Sequence, residues 1–216
     1  MTQGQRERSL WELTVREMLA RTASADPTPG GGSVAALSGS LGLGLVIMAL
    51  EVSARHRDAE DGLAELLERA RGLLRRMDVH PDADVRAFGV YMAALARPKT
   101  DPERPGALRS AALAATQAPL ATARDLLSGL ELAARAADLS QRQVVSDVGA
   151  GVGLLGGALH GALLTVDINL AALPEAERTA AREERGELAR TGEGLARRVL
   201  ERVSERLSGG SEGQSG

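Results

Sequence analysis

Few side chains in this sequence can move a proton or hold a ligand, and they fall into four places. Pro29 is followed by Gly30, Gly31, Gly32 and Ser33, then by an uncharged apolar run to Leu50. Glycines opening a helix leave backbone N–H groups free at its N-terminus, where anions bind well, and Ser33 has the side chain of an N-cap. The same glycines would equally serve a tight entry turn. Asp84, Phe88, Tyr91 and Leu95 follow at spacings of four, three and four and so share one helical face. A carboxylate thus stands beside two aromatic rings; the plainer alternative is an acid favoured by the dipole of a first helical turn, next to two core aromatics.

Lys99 is the one lysine among 26 basic residues. Its amine can release a proton when desolvated, as a guanidinium cannot, although a cation just beyond a helix C-terminus reads equally well. Ser146 and Asp147 open a second uncharged run that reaches Val166, Ser146 as a cap and Asp147 as either a dipole-stabilised or a proton-transferring acid. Asn169 follows that run. Asp147 and Asn169 point roughly the same way, yet a continuous helix would hold them about 33 Å apart. Either the helix breaks at its glycines, or the two serve different parts of a long ligand or a subunit interface. His160 and Asp167, seven apart, share another face, where a buried, hydrogen-bonded histidine is the commoner outcome.

The elements that must carry these residues are helical. Thr14 and Glu17 have capping-box spacing for a first helix to about Ala23, and Asp26-Pro27-Thr28-Pro29 blocks helical geometry before the glycines. A second helix is expected from Ser33 toward Arg57. Val34, Leu37, Leu41, Leu45 and Met48 form its core stripe, and Ser33, Ala36, Ser40 and Gly44 a side-chain-poor stripe beside it. Leu63, Leu66, Leu67, Ala70, Leu73, Leu74 and Met77 mark an amphipathic third helix, and Pro81 suits the first turn of a fourth. After a connector at Pro98, Pro102 and Pro105, alanine-rich helices run through a kink at Pro119 to about Leu139. Gly149, Gly153, Gly157 and Gly161 recur every fourth residue, a pattern that lets another helix approach closely. A charged surface helix with Leu188, Leu195, Val199 and Val203 closes the chain. No alternating strand pattern is present. The expectation is an all-α, up-and-down bundle of seven to nine helices with two long glycine-rich buried helices, over residues 10–207, with disordered tails at 1–9 and 208–216.

Composition narrows the function. A net charge of -3 and three aromatic residues, Trp11, Phe88 and Tyr91, provide neither a basic field nor a stacking platform for nucleic acid. Cysteine is absent, and the three histidines, His56, His80 and His160, show no helical pair spacing for zinc, so no metal is expected. The first residues lack an apolar segment, which argues against a secretory signal and for the cytoplasm. The uncharged runs at 33–50 and 148–166 approach membrane-spanning length. Their glycine content and lack of interfacial aromatics argue against a membrane hairpin.

The segment Pro29-Gly30-Gly31-Gly32-Ser33-Val34-Ala35-Ala36-Leu37 resembles the opening of the formiminotransferase-cyclodeaminase C-terminal family, which includes stand-alone bacterial methenyltetrahydrofolate cyclohydrolases. Two later blocks agree in order: Asp84-Val85-Arg86-Ala87-Phe88 with Ala94, Pro98 and Lys99, and Ser146-Asp147-Val148-Gly149 with Val166-Asp167-Ile168-Asn169-Leu170. The resemblance implies a folate enzyme. It would either close 5-formiminotetrahydrofolate to the 5,10-methenyl form with loss of ammonia or hydrolyse that form to 10-formyltetrahydrofolate, without metal or redox cofactor. It also implies a homodimer with folate near the subunit contact. On that reading Gly30, Gly31, Gly32 and Ser33 bind a polar part of the folate through backbone donors, and Asp84 with Phe88 holds the pterin. Ser146 and Asn169 add contacts, and Asp147 and Lys99 form the acid–base pair. That pairing requires the start of the later glycine helix to lie near Ser33. Where the family commonly has a lysine-rich, tyrosine-ending segment, this chain has Ser53-Ala54-Arg55-His56-Arg57-Asp58, and Thr165 stands where an asparagine is usual. A non-catalytic folate-binding homologue is the second expectation.

Overall fold

The computed structural model describes residues 8–56 and 61–209. Arg57, Asp58 and most of the two expected tails lie outside this set. Among the described residues there are seven α-helices and no strand: α1 (Val15–Thr22), α2 (Gly31–Ala54), α3 (Leu63–Met77), α4 (His80–Ala96), α5 (Arg104–Leu139), α6 (Val145–Leu170) and α7 (Glu175–Ser208). Short 3-10 turns at Leu10–Glu12 and Arg142–Val144 precede α1 and α6. The all-α bundle with two long glycine-rich helices is as expected. Its six long helices fall slightly short of seven to nine because α5 is one continuous helix of 36 residues that carries Pro119 inside it. The eight-residue α1 buries none of its residues.

Local signals act as their chemistry dictates. Thr14 and Glu17 form the full capping box of α1, Pro81 sits in the first turn of α4, and α3 buries Leu63, Leu66, Leu67, Ala70, Leu73 and Met77. At the centre α2 and α6 run antiparallel. A Cβ on Gly31 would face Thr165 and one on Gly161 would face Ala35, while one on Gly42 would stand 2.8 Å from the Gly151 carbonyl oxygen. The backbones touch at Gly42 and Gly151, where any side chain would separate the helices. Helices α5 and α7 cover the other sides of α6, and α3, α4 and α5 pack around α2. Leu43, Val46, Leu50, Leu126, Leu130, Val152, Leu155 and Leu163 fill the shared core. Each such buried side chain is worth about 1.5–3 kcal/mol of transfer free energy.

Two expectations about these central helices are corrected. On α2 the expected core stripe is not the buried one: Leu41 is 66% and Met48 37% exposed and Val34, Leu37 and Leu45 are half-buried, whereas Ser33, Ala36 and Ser40 of the small stripe are buried and Gly44 is half-buried. The close approach of α6 selects glycine at the crossing point, Gly42, while Leu43, Val46 and Leu50 fill the core beside it. On α6, Gly153 and Gly157 have nothing near them, and Gly151 makes the close approach instead. The glycines do not interrupt α6, which runs unbroken for 26 residues.

Both α2 and the helix through α6 are long and apolar enough to cross a membrane, but about half of each apolar window is buried inside the bundle. Leu41, Met48, Leu154, Leu164 and Ile168 remain exposed on these two helices.

Candidate functional site

The N-terminal end of α2 and the C-terminal end of α6 meet beneath α4. There they enclose a cavity of about 410 Å³ whose lining includes Gly30, Gly31, Gly32, Asp84, Phe88, Tyr91, Thr165 and Asn169. Residues far apart in sequence converge because α6 returns antiparallel to α2, which brings Asn169 back to the glycine loop. Asp84, Phe88 and Tyr91 enter from the one face of α4 that their spacing predicts. Leu95, the fourth of that series, lines a neighbouring depression together with Tyr91.

Asp84 is the chemical centre of this cavity. Its Oδ2 accepts a hydrogen bond from the Ser33 hydroxyl at 2.7 Å. The carboxylate packs so closely over Gly32 that a Cβ there would lie 2.9 Å from Oδ2. Helix α2 begins at Gly31 with Gly30 as N-cap and no side-chain cap, so Ser33 sits within the first turn and is not the cap expected from its type. The reason is spatial: the carboxylate of Asp84, supplied by α4, stands over the turn and engages the Ser33 hydroxyl. Burial raises the pKa of Asp84 above the ordinary aspartate value, while the hydroxyl and backbone N–H of Ser33 pull it the other way. The balance leaves a carboxyl that takes up a proton more readily than a surface aspartate.

Asn169 is held from α5. Its side-chain Nδ2 donates to the Ala115 carbonyl oxygen at 2.7 Å. Thr165 turns its hydroxyl back to the Gly161 carbonyl at 3.2 Å.

The remaining candidates stand elsewhere. Helix α6 starts at Val145 after a 3-10 turn, so Ser146 is an exposed first-turn residue and caps nothing. Asp147, half-buried, lies at the start of α6, at the opposite end from the cavity. The unbroken helix separates it from Asn169 by about 33 Å. Lys99 is exposed in the connector between α4 and α5 and does not line the cavity. Within one chain Asp147 and Lys99 therefore do not meet: the antiparallel run of α6 puts its start beside the end of α2, where Ser53 binds the backbone of Gln141, and not beside Ser33. His160 is exposed, and Asp167 is held in a fork by Arg185. Among the described residues no group of histidine, aspartate or glutamate side chains could hold a metal ion. Sequence reasoning missed Thr165 as a lining residue, whereas Tyr91 lines the cavity from the face on which its spacing from Asp84 puts it.

Known proteins resemble this chain over most of its length. The family model described as formiminotransferase-cyclodeaminase matches residues 14–187. A methenyltetrahydrofolate cyclohydrolase of Methylorubrum extorquens is 34% identical over 207 residues, covering 90% of this chain and 98% of that one. The formimidoyltransferase-cyclodeaminase of Gallus gallus is 29% identical over 177 residues, and the matched region spans only 32% of its length. The crystal structure of a formiminotetrahydrofolate cyclodeaminase from Thermotoga maritima superposes with a TM-score of 0.78 at 21% identity, covering 93% of this chain and 98% of that one. At that identity the likeness concerns the fold.

Proposed function

Because the chain belongs to the formiminotransferase-cyclodeaminase family, we propose that it is a folate enzyme of one-carbon metabolism acting at the carbon that bridges N5 and N10, and that hydrolysis of 5,10-methenyltetrahydrofolate is its reaction. The relative that matches nearly end to end bears the cyclohydrolase name, whereas the chain spans about a third of the bifunctional one. The observation that carries the reading is Asp84, a carboxyl with a raised pKa in the floor of a cavity walled by Phe88 and Tyr91.

The methenyl carbon shares a positive charge with N5 and N10. The Asp84 carboxylate stabilises that charge and accepts a proton from the attacking water. Oxygen bonds to carbon, the carbon–N5 bond breaks, and the proton held on Asp84 passes to N5. The second water proton is released as the formyl C=O forms on N10. Water is the sole co-reactant and no oxidation state changes, so the step needs no redox cofactor. Ring closure of 5-formiminotetrahydrofolate would use the same carboxyl to take the N10 proton and hand it to departing ammonia. Incubation with each folate, following loss or gain of methenyl absorbance, separates the two. No change with either would overturn the enzymatic reading in favour of a binding homologue.

A homodimer through the exposed face of α2 and α6 belongs to the same proposal. Leu41, Met48, Leu154 and Ile168 are exposed there, and Gly153 and Gly157 are open. Asp147 lies on the same line of α6 as Leu154 and Thr165, at spacings of seven and eighteen. A two-fold axis crossing these helices would bring Asp147 of the partner subunit toward the cavity end. Replacing Gly153 and Gly157 together by leucine should leave the monomer folded and abolish the dimer in sedimentation. A monomeric wild type would overturn the interface.

A further inference from the structure

We propose that Pro119, which lies outside the cavity lining, is a positioning residue: by withholding an N–H from the Ala115 carbonyl, it leaves that carbonyl to fix the Asn169 amide with its oxygen turned to the ligand. The identity of the ligand rests on the folate reading above; the hydrogen-bond arrangement rests on geometry alone.

Helix α5 runs from Arg104 to Leu139 with Pro119 buried inside it. In a regular helix the N–H of residue 119 would bond the carbonyl of residue 115, four positions earlier. Proline has no N–H, and its ring presses that carbonyl outward. The orphaned Ala115 oxygen faces α6, where Asn169 Nδ2 donates to it at 2.7 Å. Asn169 thus replaces the helix bond that Pro119 removes, and α5 continues through a residue that would otherwise break it.

The consequence for the site follows from hydrogen-bond polarity. A carbonyl only accepts, so the nitrogen of the Asn169 amide must face Ala115 and its oxygen must point away. Ala115 and Asn169 both line the cavity. The side chain is thereby held with its oxygen in one fixed direction, as an oriented acceptor for an N–H of a planar ring. Without the proline the Ala115 carbonyl would return to the helix, and the amide would be free to rotate and present either end.

Three variants test this: Pro119→Ala, Asn169→Leu and the double substitution, each measured by thermal unfolding without ligand and by steady-state kinetics on methenyltetrahydrofolate. Asn169→Leu alone should lower the Tm by several degrees, since it strands the Ala115 carbonyl. Combined with Pro119→Ala it should lower the Tm far less, because the helix then satisfies that carbonyl itself. Pro119→Ala alone should raise KM about fivefold, with kcat within about twofold and Tm not reduced. Additive Tm changes would overturn the hydrogen-bond arrangement. Coupled Tm changes with an unaltered KM would overturn the positioning role. A wild type that turns over no folate would overturn the ligand assignment together with the proposed function, and the thermal coupling would still decide the rest.

Discussion

The two ends of the central helix pair use their buried polar groups in opposite ways. At one end, the Ser33 hydroxyl donates to Asp84 and Asn169 donates to the Ala115 carbonyl; Asp84 and Asn169 line a cavity, and the carboxyl of Asp84 is shifted upward by burial. At the other, Ser53 donates to the Ala49 carbonyl and accepts from the Gln141 backbone, both at 2.7 Å. The first end keeps hydrogen-bonding capacity in reserve behind apolar walls. At the second, Ser53 spends both its donor and its acceptor on the helix and on the connection between α5 and α6. Burial of a polar group therefore marks a site only where some of its capacity faces open space, and the same two helices supply both cases.

The sharpest way to break this contrast is Asp84→Asn. The amide keeps an acceptor for the Ser33 hydroxyl but cannot take a proton, so turnover should fall by about 10²- to 10⁴-fold while the fold persists. Activity near that of the wild type would move proton transfer off Asp84, and Asp147 would then be the group to test. Next in size is Gly32→Ala. Its new methyl would displace the Asp84 carboxylate, whereas the Cβ of Gly31→Ala would lie 3.9 Å from Thr165 Oγ1 in ordinary contact. Turnover should drop roughly tenfold or more for the first and much less for the second. Equal losses would mean that the glycines serve the turn and not the carboxylate.

At the far end the expected effect is on stability alone. Ser53→Ala leaves the half-buried Gln141 N–H without this partner, at a cost of about 1–3 kcal/mol. In a chain of this size that corresponds to a Tm lowered by roughly 3–10 °C. Turnover at a temperature where the variant is folded should match the wild type. A loss of activity without a loss of Tm would show that the two ends communicate.

What the sequence made legible was whatever depends on local spacing. The Thr14–Glu17 box, the buried face of α3 and the shared face of Asp84, Phe88 and Tyr91 each follow from a period or a cap that neighbouring residues complete. The stripes of α2 were reversed because the helix is uncharged all round, so hydropathy could not say which side faces inward; the close approach of Gly42 to Gly151 decided it. Asp147 was paired with Lys99 because motif order says nothing about the direction in which α6 returns. Asn169 was singled out by its motif, yet its link to Pro119 crosses to another helix and leaves no trace in either local pattern.

The smallest expected effect is the pH dependence that Asp84 imposes on stability, and its sign is fixed by the direction of its shift. Burial raises the folded-state pKa above the ordinary value of 3.8, more than Ser33 lowers it. The folded protein therefore holds this proton more tightly than the unfolded chain does. The resulting stabilisation is fully present below the unfolded pKa and is lost as pH rises through the folded one. Asp84→Asn removes a group whose charge the site disfavours, so the variant should gain stability relative to the wild type as pH rises from about 4 toward neutrality, then run parallel to it. Unfolding of both proteins in urea across that range measures the difference. A difference that moves the other way would mean that the site favours the carboxylate over the acid, as a surface ion pair does. Asp84 would then resemble the far end of the helix pair, with its capacity spent on structure.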